Sequence, residues 1–307
     1  MTTLSTLRAD GKPAIARALA RLESTPDDPE IIALLSAAYV APMAQVIGLT
    51  GPPGVGKSTL AGALVTAYRA AKKTIAVIAI DPSSKRSGGA LLGDRTRLRT
   101  DPDDQDIFVR SMAARDQLGG LAEITFPAMA LMRALYDVVL IETVGVGQSE
   151  TDIALAADTI VFCVQPGSGD SLQFMKAGIV EIPDIVVVTK GDLGRAATRA
   201  CADVKGALGL NDDRHGSDIW SVPVLIVSAN TVDGIDSLTE AVAGHAGWLQ
   251  QNGRGAAKRQ AQSFAWIEAA VRERWGREGL KRASHALEIA RSKESPFLGL
   301  AEIARQL

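Results

Sequence analysis

Nine consecutive residues, Gly51-Pro52-Pro53-Gly54-Val55-Gly56-Lys57-Ser58-Thr59, constrain the fold of this chain more than any other stretch. They fit G-x-x-x-x-G-K-[ST]. An apolar run, Val46–Thr50, precedes them, and Leu60–Ala71 follows with helical spacing. A glycine-rich turn of this kind folds backbone N–H groups around an anion when a buried strand delivers the chain and a helix carries it away. The helix N-terminus then adds partial positive charge. The motif predicts an α/β chain with a phosphate site at Gly51–Thr59. Lys57 is placed to reach β- and γ-phosphates, and the Ser58 hydroxyl to face Mg²⁺.

The rest of the chain fits that frame. Further apolar runs at Thr74–Ile80, Ile107–Val109, Asp137–Glu142, Thr159–Val164, Ile185–Thr189 and Pro223–Val227 are rich in Val and Ile. Most are apolar on both faces, as parallel strands covered by helices are. Helical stretches such as Leu60–Ala71 and Ser171–Val180 lie between them. The expected fold class is α/β, a doubly wound, mostly parallel sheet over residues 45–250. Residues 1–44 read as a helical extension, with Ala14–Leu22 and Ile31–Tyr39 split by Ser24-Thr25-Pro26-Asp27-Asp28-Pro29. Residues 251–255 read as a linker, and 256–307 as a helical arm. There Phe264, Ile267, Val271 and Trp275 recur at helical spacing, a stripe that packs onto the core or onto a second copy of the chain. Ile31–Thr50 is free of charge and long enough for a membrane span. Pro42 and Gln45 interrupt it, which favours a short core helix, a turn and a buried strand.

Composition narrows the function classes. With 47% hydrophobic and 22% charged residues, the 307-residue chain can bury a full core. Aromatics are only 4% and the net charge is −2, so neither base-stacking surfaces nor a nucleic-acid partner is expected. Cys163 and Cys201 form no disulfide framework, Cys163 reads as core, and the N-terminus carries Arg8, Asp10 and Lys12 rather than a secretory signal. A cytoplasmic protein is expected.

Two further clusters carry chemistry. Glu142 ends a strand and continues into Thr143-Val144-Gly145. A carboxylate there can hold Mg²⁺, directly or through water, and the Gly145 N–H can meet a γ-phosphate. A strand-end Glu in a solvated turn is the alternative, and the presence of the phosphate loop favours the Mg²⁺ reading. Asp81 and Asp94, flanking a glycine-rich stretch, read on spacing alone as cap or turn residues. In Thr189-Lys190-Gly191-Asp192, which approximates N-K-x-D, the Asp192 carboxylate can accept from guanine N1–H and N2–H₂, donors that adenine lacks. The Lys190 stem can cover the base. Ser228-Ala229-Asn230, after the last strand, is where a backbone N–H could meet guanine O6. An ordinary strand-end turn is the alternative.

At this point the residues resemble a known family. Glu142-Thr143-Val144-Gly145-Val146-Gly147-Gln148-Ser149-Glu150 is similar to the ETVGVGQSE signature of the MeaB/ArgK GTPases. Asp81-Pro82-Ser83-Ser84 with Gly88–Arg95, Leu118–Ala122, and Gly169-Asp170 through Lys176–Ile179 resemble that family as well. The resemblance implies a G domain of the SRP/MinD-like class with a homodimerising C-terminal arm. It implies a GTPase chaperone that gates adenosylcobalamin delivery to a cobalamin-dependent acyl-CoA mutase, typically methylmalonyl-CoA mutase, and protects it. It also implies a Mg²⁺ shell of Ser58, Asp81, Asp94 and Glu142, a catalytic set of Lys57, Asp81, Glu142 and Gly145, and switch residues including Gln148 and Lys176. Guanine contacts carry over to Lys190, Asp192 and Ser228–Asn230. Thr189 departs from the family's usual Asn, Ser171 and Phe174 from Glu and Gly, and Lys85-Arg86-Ser87 from a less basic stretch. Two alternatives remain: a small-molecule kinase, as the older ArgK label suggests, and a metal-insertion GTPase, which the scattered His215, His245 and His285 support poorly. Arg95 and Arg110 are weighed as transition-state arginines against plain surface roles.

Overall fold

The computed structural model describes residues 2–82, 101, 103–114, 124–143, 152–167, 182–209 and 219–307. Every apolar run expected to be a strand is one: β1 (Gln45–Thr50), β2 (Ile75–Pro82), β3 (Ile107–Ala114), β4 (Val138–Glu142), β5 (Thr159–Val164), β6 (Ile185–Val188) and β7 (Val224–Ile226). They form one seven-stranded sheet in the order β3-β2-β4-β1-β5-β6-β7, with every pairing parallel. β3 runs on past Val109 because Arg110, which interrupts the apolar run, lies on an edge strand and reaches the Glu23 carboxylate at 2.5 Å. β1 sits centrally, with β4 on one side and β5 on the other. The chain switches direction across the sheet there, and ligand crevices form beyond the carboxyl ends of strands at such a point.

The two faces of the sheet are read from the period-2 alternation of its strands. Ile47, Leu49, Val161 and Val187 pack with Leu60 and Leu64 and with Leu238 and Val242. Those partners belong to the helices at Lys57–Ala70 and Ile235–Gln250. Val46, Ile78, Val139 and Ile141 face the other way. They meet a larger cluster that includes Leu19, Leu35, Met129, Ile267, Val271 and Phe297.

Among the described residues the α-helices, in chain order, are α1 (Leu4–Ser24), α2 (Pro29–Val40), α3 (Lys57–Ala70), α4 (Thr125–Leu135), α5 (Arg195–Gly209), α6 (Ile235–Gln250), α7 (Arg254–Arg282), α8 (Ser284–Ala290) and α9 (Pro296–Gln306). Thr3 caps α1 through a reciprocal capping box, and Asp28 caps α2 by accepting the Glu30 N–H, with Pro29 at the first helical position. The charge-free run 31–50 therefore resolves into α2, a turn and β1. Among the described residues no helix is long and apolar enough to cross a membrane.

The α7 stripe packs onto the chain's own core: Ile267 and Val271 are buried, with Phe264 and Trp275 partly buried beside them. Next to the stripe, Trp266 stacks on Phe126 at 5.1 Å and meets Phe297 edge-on at 5.2 Å. The stretch expected as a linker is short and structured. Gln251–Gly253 make one 3₁₀ turn, with Asn252 and Gly253 at φ 53° and 72°, and α7 begins at Arg254. The expected helix Ser171–Val180 lies outside the described residues.

Candidate functional site

The phosphate loop leaves β1 and enters α3. Gly51, Gly54 and Gly56 have φ of 135°, 75° and 102°, a region open to glycine and strained for side chains. Gly51 has a second reason to be glycine, since a Cβ there would sit 2.3 Å from the Cys163 carbonyl of β5. α3 starts at Lys57 with Gly56 as its N-cap, and no side chain caps it. Lys57 is buried, and its Nζ donates to the Gly51 carbonyl at 2.6 Å and the Pro52 carbonyl at 3.0 Å, so the ammonium bridges its own loop. Burial pushes the neighbouring Cys163 thiol up to about 12; Lys57 acts in the opposite direction and Glu142 in the same one. Cys163 is thus a protonated core residue, as its apolar strand suggests.

The Ser58 hydroxyl donates to Glu142 Oε1 at 2.5 Å. Glu142 is 7% exposed, at the carboxyl end of β4. Register explains the meeting: Glu142 pairs with Leu49 of β1 and with Ala79 of β2. The carboxyl ends of three strands therefore converge on the loop. A hydroxyl and a carboxylate side by side are hard oxygen donors, the set a small divalent cation takes. The Asp81 backbone lies in β2, paired with Ala113. The Asp81 side chain, together with Asp94, Gly145, Gln148 and Lys176, lies outside the described residues, as do Arg95, Ser171 and Phe174. Arg110 is tied to Glu23 of α1.

The second cluster follows β6. Thr189 is buried; its hydroxyl lies 2.7 Å from the Val55 carbonyl and 3.1 Å from the Val164 carbonyl. Lys190 takes φ 55°, and its Nζ donates to the Gly54 carbonyl at 3.1 Å and to Gln165 Oε1 at 2.9 Å. The Gly191 N–H donates to the Val227 carbonyl at 3.0 Å, an approach that a Cβ would block by meeting Ile226 at 2.8 Å. Asp192 is exposed, and the buried Ser228 hydroxyl orients it by donating to Oδ1 at 2.8 Å. Ala229 is half-buried and Asn230 exposed. Lys190, Asp192 and Ser228 thus share one corner, tied to the phosphate loop.

Sequence reading missed two members of this corner, Gln165 and the Thr189 link to Val55. Gln165 directly follows β5, and the rule that ligands gather beyond carboxyl strand ends could have flagged it. No local signal points to the Thr189 link.

A family model described as methylmalonyl Co-A mutase-associated GTPase MeaB matches residues 15–283. The chain belongs to the MeaB family. GTPase ArgK of Escherichia coli is 37% identical over 74% of this chain and 69% of its own. The methylmalonic aciduria type A homolog, mitochondrial, of Mus musculus is 38% identical over 76% of this chain and 56% of that protein. A crystal structure described as LAO/AO transport system kinase matches with a TM-score of 0.68 at 27% identity, covering 98% of this chain and 95% of that one. This member of the MeaB family is thus a GTPase relative of ArgK built on an all-parallel P-loop sheet.

Proposed function

We propose that this chain is a Mg²⁺-dependent GTPase that gates the loading and protection of a cobalamin-dependent acyl-CoA mutase. The observation that carries the nucleotide reading is the Ser58–Glu142 contact, a paired oxygen donor set against a loop bridged by Lys57. The family description, mutase-associated, supports the client.

In this reading Gly51–Thr59 hold the phosphates. Lys57 exchanges the carbonyls of Gly51 and Pro52 for β- and γ-phosphate oxygens. Ser58 and Glu142, joined by Asp81 and Asp94, hold the cation. When bound, that cation supplies charge neutralisation on the phosphate oxygens. Gly145 offers its N–H to the γ-phosphate, and the loop containing Gln148, with Lys176, reports whether it is there. Asp192 accepts from guanine N1–H and N2–H₂, Ser228 keeps that carboxylate aimed, and Lys190 covers the base. The backbone at Ala229 and Asn230 meets O6. Residues 45–250 form the G domain, 1–44 its helical extension and 251–307 a helical arm; the chain works as a homodimer in the cytoplasm.

The test is GTP turnover by the purified protein, with ATP as control, with and without a cobalamin-dependent acyl-CoA mutase from the same source. GTP-selective turnover that the mutase changes is the expected result. GTP turnover indifferent to the mutase would remove the client. The name of the structural relative favours one other reading, phosphoryl transfer to a small molecule. A preference for ATP in the same assay would favour it and sink the guanine assignment. Asp192→Asn should weaken GDP binding by on the order of ten- to a hundredfold and relax the guanine preference, since it removes charge-assisted hydrogen bonds.

A further inference from the structure

Thr189 directly follows β6 at the junction of the two clusters, and its contacts follow from what a hydroxyl can do. Two carbonyl oxygens lie within its reach: Val55 of the phosphate loop at 2.7 Å and Val164 of β5 at 3.1 Å. The Val164 carbonyl already accepts the Thr189 N–H at 2.8 Å. Val55 is fully buried, and among the described residues its carbonyl is satisfied by this hydroxyl. The next residue reaches the same loop, through Lys190 Nζ on the Gly54 carbonyl at 3.1 Å. Two successive carbonyls of the phosphate loop are therefore held from the base-reading turn.

The first consequence is directional. A trans peptide unit points its C=O and N–H to opposite sides. Tying the Val55 carbonyl to Thr189 aims the N–H of Gly56 away from Thr189. Gly56 stands at φ 102° as the N-cap of α3, at the head of the amides that the motif turns toward an anion. The second consequence is one of capacity. A hydroxyl carries a single proton, and both nearby oxygens are acceptors, so that proton is committed. Guanine presents only acceptors, N7 and O6, along its imidazole side. Thr189 has no donor left for them.

We propose that Thr189 is a positioning residue that pins the phosphate loop to the base-reading turn through the Val55 carbonyl, and that it leaves N7 of the base unread. Guanine recognition then rests on Asp192 at the Watson–Crick edge, with the backbone at Ala229 and Asn230 on O6. This deepens the GTPase reading above and rests on it.

The experiment is calorimetric titration of GDP, 7-deaza-GDP and ADP into the wild-type chain, Thr189→Val and Thr189→Ser, with thermal melts of the nucleotide-free proteins alongside. Valine keeps the shape and removes the hydroxyl; serine keeps the hydroxyl. The wild type should bind 7-deaza-GDP within about twofold of GDP, because replacing N7 with C–H removes an acceptor that nothing at Thr189 engages. Thr189→Val should bind GDP about tenfold more weakly, with Thr189→Ser close to wild type, as loss of one buried hydrogen bond implies. A lower melting temperature for Thr189→Val with unchanged GDP affinity would overturn the pinning role. A 7-deaza penalty of tenfold or more in the wild type would overturn the unread N7, and that arm needs no variant to fold. Equal binding of ADP and GDP by the wild type would overturn the guanine reading itself, and this inference with it.

Discussion

Lys57 is buried, and its ammonium satisfies two carbonyls of its own loop rather than standing in water. A buried ammonium needs such partners, because an unpaired charge in the interior is costly. Those carbonyls hold it where phosphate oxygens can replace them with little side-chain movement. Lys57→Ala should therefore lower kcat for GTP by on the order of a hundred- to a thousandfold, the range for losing one preorganised transition-state donor. Single-turnover hydrolysis under saturating GTP checks this; a rate within a few-fold of wild type would remove Lys57 from the catalytic set. At this scale much was legible. The phosphate motif, the strand-end Glu142 and the Thr189–Asp192 run are all local patterns. What was illegible is what each side chain touches: Thr189 meets a carbonyl 134 residues away, and Ser58 a carboxylate 84 away.

Among the elements, α7 shows how packing organises a helix with no motif. Asp158, 4% exposed, accepts from Arg259 Nε at 2.8 Å and Nη2 at 2.9 Å, and from the Val46 N–H of β1 at 2.9 Å. One turn of α7 adds Lys258 Nζ on the Asp158 carbonyl at 2.7 Å and Gln262 Nε2 on the Ala154 and Ala157 carbonyls at 2.7 and 2.8 Å. The Asp158 hydrogen bond raises the Arg259 pKa, against the lowering effect of burial. Asp158→Ala should cost about 2–4 kcal/mol, somewhat below the range for breaking a fully buried pair, because it leaves the Val46 N–H without its acceptor and the partly exposed guanidinium with only the Ala44 carbonyl at 3.5 Å. Urea denaturation measures it, and a loss under about 1 kcal/mol would mean that α7 is held by its apolar face alone. The periodic stripe at Phe264, Ile267, Val271 and Trp275 announced a packed helix. The polar clamp beside it carries no periodicity and needed the fold to be seen.

For the molecule as a whole, His245 links acidity to stability. It is fully buried in α6, with Nδ1 2.8 Å from the Thr159 hydroxyl and the ring packed against both Trp220 and Trp248. Its Nε2 lies 3.3 Å from Asp184 Oδ1 but is not aligned for a hydrogen bond. Burial lowers its pKa below the ordinary 6.5; Lys258 adds to this, while Asp184 and Asp158 oppose it. The unfolded chain thus takes up the proton first as pH falls. The contribution of His245 to stability is complete above pH 6.5 and is lost as pH drops through that value toward the lower folded pKa. Unfolding free energy should decline from about pH 7 to 5.5, and His245→Gln should flatten that slope. An identical slope in the variant would assign the acid sensitivity elsewhere.

The sequence by itself determined the local structure: seven apolar strands, a glycine-rich loop between the first of them and α3, and the helical stretches Ala14–Leu22 and Ile31–Tyr39 within α1 and α2. Those signals lie within a few residues of each other, so steric preference and side-chain period are enough to read them. Only the tertiary structure decided the strand order, the cover on each face and the meetings at the site. It set Glu142 beside Leu49 and Ala79, so that its carboxylate reaches Ser58. It also turned the α7 stripe onto the chain's own core and carried β3 past Arg110 to Ala114. Each of these depends on which apolar surfaces find each other across long stretches of chain, and no one-dimensional pattern records that choice.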